Sequence, residues 1–75
     1  GARHATGLKD PAVVLAADSE ARSGPGAAFP VSFKVPEGRR VTRLDRKGDW
    51  VEVGVLQEGL KGWMDARTLR GILRD

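Results

Sequence analysis

Apolar residues in this chain recur at every second position in short runs, and the runs stop at Gly or Pro. Val14 and Ala16 alternate, then Val31, Phe33 and Val35, then Val51, Val53 and Val55. A period of two puts alternate side chains on one face of an extended segment, so these runs read as half-buried strands, not helices. The breaks carry turn chemistry: Ser23-Gly24-Pro25-Gly26, Pro36-Glu37-Gly38, Arg46-Lys47-Gly48-Asp49 and Gln57-Glu58-Gly59. Glycine supplies positive φ and proline presets φ, which is what a chain reversal needs. Strands are expected at 12–17, 19–23, 30–35, 39–45, 49–55, 60–64 and 69–73, with 39–45 and 49–55 forming a hairpin. Residues 65–68 should make a single helical or 3-10 turn before the last strand, with Asp65 as its cap.

Seventy-five residues hold one domain. A chain this short buries only about 60% of the surface its unfolded form exposes. That is too little material for a two-sheet sandwich, so the expected fold is all-β: a small, strongly bent barrel of five to seven short strands. Its inner wall should be Val14, Ala16, Ala21, Val31, Val35, Val41, Val51, Val53, Met64, Leu69 and Ile72. Residues 1–11 are polar and unpatterned and read as a flexible lead-in that ends at Pro11, leaving 12–75 for the barrel. A start at Gly1 instead of Met is expected to be a cleavage scar on a piece of something longer. No apolar run approaches the roughly 18 residues that span a bilayer, so membrane attachment is expected only through segments outside this chain.

The residue inventory argues against chemistry. There is no Cys, and the one His, His4, lies in the lead-in with no nearby acid. Nucleophilic catalysis needs a Ser or Cys beside an oriented base, and only His4 is available to Ser19, Ser23 and Ser32. Asp45 and Asp49 flank a water-exposed turn, where nothing raises a carboxyl pKa for paired-acid hydrolysis. Metal clusters lack ligands, and Ser23-Gly24-Pro25-Gly26 lacks the Lys-Ser/Thr ending of a phosphate loop. The expectation is a non-enzyme with no cofactor and no metal.

The ordered set Arg22-Ser23-Gly24-Pro25, Gly38, Gly48-Asp49-Trp50-Val51-Glu52-Val53, Gly62-Trp63-Met64 and Leu69 resembles a bacterial Src-homology-3-like (SH3b) domain. The likeness covers about residues 12–73. It also resembles the SH3-like tail of membrane-anchored tetratricopeptide-repeat proteins of the aerotolerance type. The resemblance implies an SH3-like barrel, a binding role without catalysis, and a setting in the bacterial cell envelope. It implies a peptide, a protein segment or peptidoglycan as partner. Three departures are visible. Ser19 and Ala21 stand where the family has larger aliphatics, and Arg43 takes a Val place with inward parity, so it must snorkel from a barrel end or sit at a bulge. Asp65 and Thr68 replace the Pro and Tyr of the eukaryotic proline-peptide groove, and only Trp50 matches a groove aromatic. With no Tyr and a net charge of +3, that mode of binding is not expected.

Trp50 shares strand parity with Glu52 and should face outward, as should Trp63 beside Met64. Exposed indoles offer stacking area and an N–H donor. The expected site is a shallow aromatic groove between the loop at 24–30 and the turn at 45–49, built from Trp50, Trp63, Phe29, Arg22 and Asp49. Two other readings compete. Arg39, Arg40, Arg43, Arg46 and Lys47 could serve a nucleic-acid-binding barrel, although neighbours on a strand point to opposite faces and should split Arg39 from Arg40. Alternatively the domain is an intramolecular docking piece. It is expected to be monomeric in isolation.

Overall fold

A computed structural model describes residues 10–71. Seven strands run in one antiparallel sheet: β1 (Asp10–Val14), β2 (Ser19–Arg22), β3 (Val31–Val35), β4 (Arg40–Lys47), β5 (Trp50–Val55), β6 (Leu60–Asp65) and β7 (Leu69–Gly71). Two 3-10 turns interrupt them, at Leu56–Glu58 and Ala66–Thr68. The sheet order is β3-β2-β6-β5-β4-β1-β7. The sheet curls until residues of six strands meet in one small core: Ala12, Val14, Ala21, Val35, Val41, Val51, Val53, Val55 and Met64. Phe33 and Leu69 pack against it from the two outermost strands, β3 and β7.

The turns obey the residues that make them. Arg39 N–H donates to the Pro36 carbonyl at 3.2 Å across a four-residue turn whose third residue, Gly38, has φ 86°. That is the type II requirement. The β4–β5 hairpin needs only Gly48 and Asp49 between Lys47 and Trp50, and Gly48 has φ 60°. A positive φ at the first of two central residues is the II′ geometry that matches strand twist.

Six expectations need correction. Pro11 lies inside β1, opposite Thr42, instead of ending a lead-in. Proline is tolerated near the start of a strand, where few ladder bonds need its N–H. Ala16 is exposed, because β1 ends at Val14 and the chain then bends through Asp18 at φ 55°. The Ser19 hydroxyl closes that bend by donating to the Ala16 carbonyl at 2.7 Å, which is why a buried Ser is stable there. Val31 is 40% exposed. Ala21 pairs with Phe33 but Arg22 pairs with Val31, so Ser32 is an extra residue in β3 and Val31 turns outward with Arg22. Gln57-Glu58-Gly59 is not a bare turn: Gln57 and Glu58 belong to the 3-10 segment Leu56–Glu58, and Gly59 follows it at φ 67°. Leu69 is half-buried, not a full core residue. Ala12 and Val55 complete the core and were not expected in it. Ile72 lies outside the described residues, as does His4.

Arg43 meets both expectations at once. Leu44 is the extra residue of a second bulge, since Arg43 pairs with Val53 and Asp45 with Glu52. The Arg43 guanidinium lies across the barrel end against Gly71, where a Cβ would stand 2.9 Å from Nη2. It donates to Asp10 Oδ2 at a long 3.5 Å, and its Nε is buried without a hydrogen-bond partner.

Candidate functional site

Trp50 opens β5, directly after the Gly48-Asp49 turn. Its neighbour across β6 is Asp65, and its strand mate Glu52 stands opposite Trp63. Directly paired residues share a face, so Trp50, Glu52, Trp63 and Asp65 all look outward, opposite to the buried Val51, Val53 and Met64. The outward direction read from parity holds for both indoles. Each is half-buried. They are diagonal neighbours across the ladder, within reach of large rings.

Trp50 walls a cleft of about 320 Å³. The other wall is the bend and strand at Ala16–Arg22, and the end is closed by Asp65 and Thr68. The cleft is therefore not where the sequence placed it. The loop at 24–30 and the turn at 45–49 do not line it; the reversal around Asp18 does. Arg22 and Trp50 do meet in one cleft, as expected. Phe29, Trp63 and Asp49 do not line it. Phe29 serves its own loop: its ring covers Gly24 so closely that a Cβ there would sit 2.5 Å from Cδ1. Asp49 contributes its carbonyl, which accepts from Ala66 N–H at 2.8 Å and ties the hairpin to the 3-10 turn. Trp63 stands in the adjoining row, flanked by Arg22 and Glu52.

Most polar groups of the cleft are already engaged. Arg22 Nη1 donates to the Phe29 carbonyl at 2.7 Å and Nη2 to Glu20 at 2.9 Å. Thr68 Oγ1 donates to the Asp65 carbonyl at 2.7 Å. Asp65 caps the 3-10 turn by accepting from Arg67 N–H at 2.9 Å, and Arg67 Nη2 donates to its other oxygen at 2.9 Å. The Arg67 side-chain bond, with the backbone bond second, holds the Asp65 carboxyl below the usual carboxylate range. The cleft is thus a pre-shaped wall around one indole, not a cluster of reactive groups. Its lining carries Asp18, Glu20 and Asp65 against one cation, Arg22. The chain's overall +3 therefore lies elsewhere on the surface, and the whole-chain sign is a poor guide to this cleft. Sequence reasoning missed Asp18 and Ala16–Ser19 as cleft residues; nothing short of the positive φ at Asp18 marks that reversal.

A curled antiparallel sheet of short strands, a two-residue hairpin under an outward Trp and a 3-10 turn before the last strand define an SH3-like barrel. Residues 20–70 match the family model described as a bacterial SH3 domain, and the chain belongs to that family. Over 52 residues, 69% of this chain, it is 38% identical to a probable cell wall amidase LytH of Staphylococcus epidermidis. Over the same length it is 35% identical to a probable cell wall amidase LytH of Staphylococcus aureus. The match spans 18% of the length of each relative. No solved structure matches the chain significantly. Both relatives are named as cell wall amidases, and the finer likeness to tetratricopeptide-repeat tails stays an expectation.

Proposed function

We propose that this chain is a non-catalytic binding module of a protein that works in the bacterial cell envelope, and that its Trp50 cleft takes an extended peptide segment, with the peptide part of peptidoglycan as its target. One observation carries the reading: a half-exposed indole forms the wall of an open cleft whose flanking polar side chains are held in place by their own hydrogen bonds. Such pre-organisation lowers the ordering cost of binding. A flat ring suits an extended chain with little side-chain bulk. The setting follows from relatives named as cell wall amidases, of which this chain corresponds to a minor part. Among the described residues no helix is long and apolar enough to cross a membrane. We assign the amide hydrolysis that the relatives' name implies to the remainder of their length, outside the match.

The test is co-sedimentation with purified peptidoglycan from which phosphodiester-linked polymers have been stripped. Trp50→Ala should reduce the bound fraction about tenfold or more, the loss typical of an aromatic hot spot. Circular dichroism should show the variant folded. Unchanged capture by folded Trp50→Ala would remove the cleft from consideration.

A further inference from the structure

The surplus positive charge gathers on a different face. Arg40 of β4 stands opposite Val13 of β1, and Val13 stands opposite Arg70 of β7. Val13 lies between the buried Ala12 and Val14, so this row faces outward. Strand spacing puts the two Arg backbones about 10 Å apart. The neighbouring row reads Pro11, Thr42, Gly54 and Lys61. Beneath it runs a second cleft, of about 550 Å³, whose lining includes Pro11, Arg39, Arg40, Thr42, Gly54 and Gln57. Arg39 and Arg40 share this cleft, against the strand-parity expectation. Arg39 lies one residue before β4 begins, where alternation does not bind it.

The acids near this face are engaged. Glu58 is held by Arg39 at 2.9 Å, and Glu52 faces Lys61 at 4.0 Å. Among the described residues Arg40 and Arg70 form no ion pair. The lining carries no aromatic ring and no carboxylate, and its floor is small: Gly54 presents bare backbone, flanked by Thr42 and Pro11. This is a thin, cationic trough. Arg39 and Arg40 line it, and Arg70 stands outside it on the row across Val13; cations spaced in this way suit a chain of regularly spaced anions.

We propose that this trough, together with Arg70 on the outward row beside it, is a second binding site, separate from the Trp50 cleft, for a phosphodiester-linked polyol polymer. A single-stranded nucleic acid carries the same phosphates but gains its affinity from stacking bases on aromatic side chains, which this trough lacks. A bare polyol phosphate has no bases to place. The choice of a wall polymer rests on the cell-envelope reading above; the presence of the trough does not.

The experiment uses the whole chain and a synthetic glycerol phosphate oligomer of about ten repeats as probe. Binding should appear in titration calorimetry and weaken steeply with added salt, because it is carried by released counterions. The double variant Arg40→Gln/Arg70→Gln should bind about tenfold more weakly, whereas Arg40→Lys/Arg70→Lys should keep most of the affinity. Trp50→Ala should leave this binding unchanged. In parallel, the double Gln variant should still sediment with stripped peptidoglycan, so the two sites fail separately. Three results would overturn the proposal: no binding of the oligomer at low salt, equal binding by the folded double Gln variant, or tighter binding of a single-stranded oligonucleotide with the same number of phosphates.

Discussion

Gly62 shows how little room a single position has in a barrel this narrow. It is buried on β6 opposite Val53, and a Cβ there would stand 3.0 Å from the Ala21 Cβ and 3.2 Å from both the Arg22 carbonyl and Phe33 Cε1. Two of those three contacts are backbone or a first side-chain carbon, which cannot swing away. Gly62→Ala should therefore cost about 1–3 kcal/mol, the range for overpacking, read from the midpoint of urea unfolding at constant slope. The small residue Ala21 in β2 is the counterpart of that approach: a larger aliphatic there would have to displace Phe33 or the β6 backbone. Asp65 makes a different residue-scale statement. Its folded-state carboxyl is held low by the Arg67 hydrogen bonds, so the unfolded chain binds a proton more readily. Stability from this group is complete above the ordinary Asp value near pH 4 and drains as pH falls through the depressed folded value. Asp65→Ala should lower stability by about 1 kcal/mol at neutral pH, as for a lost cap. It should also show a shallower decline below about pH 4, so that variant and parent converge in acid. Parallel acid curves for the two proteins would refute the assignment.

At the scale of elements, the strands were readable because alternation and turn glycines act within a few residues. Gly38 and Gly48 each meet a positive-φ requirement, and the 3-10 turn after Asp65 follows from a short polar side chain placed to accept the second N–H onward. Part of what escaped reading comes from bulges: one extra residue changes which face the side chains beyond it take. Ser32 is an ordinary strand residue that nothing local marks as a bulge, yet it turns Val31 out, whereas the bulge at Leu44 was signalled by the inward parity of Arg43. Likewise Trp50's outward direction followed from its parity with Glu52, but the wall opposite it depends on Asp18 adopting φ 55°, a conformation that Asp tolerates without announcing it. The geometry of the cleft was therefore half legible: the outward face of its indole could be read, and the segment standing opposite it could not. The Leu44 bulge also sets a test on Arg43, which the bulge leaves lying over Gly71 with Nε unpaired. Its one ion pair among the described residues is long, and Asp10 is exposed enough to be solvated alone. Arg43→Met, which keeps the packing stem, should leave stability within about 1 kcal/mol of the parent. A loss above about 2 kcal/mol would show that the clamp to Asp10 matters more than its geometry implies.

The whole molecule divides its residues between holding the barrel and presenting its faces. Nine small side chains, most of them Val or Ala, form the core, and Met64 is the largest that is fully buried. A domain of this length has a net stability of only roughly 4–11 kcal/mol at the per-residue values typical of folded proteins. Removing the Met64 side chain beyond Cβ leaves a cavity with nothing flexible to collapse into it, since its neighbours are short. Met64→Ala should cost about 2–5 kcal/mol, which takes a large fraction of that total. At about 4–8 °C per kcal/mol for so small a domain, the melting temperature should fall by about 10 °C or more. Trp50 has a much larger side chain but stands half-exposed on the outer face, so Trp50→Ala should shift the melting temperature far less while weakening capture by the cleft about tenfold or more. The paired measurement separates the two duties. If Trp50→Ala melted as early as Met64→Ala, the indole would be part of what holds the sheet curled. The cleft would then be a by-product of packing instead of a surface kept open for a ligand.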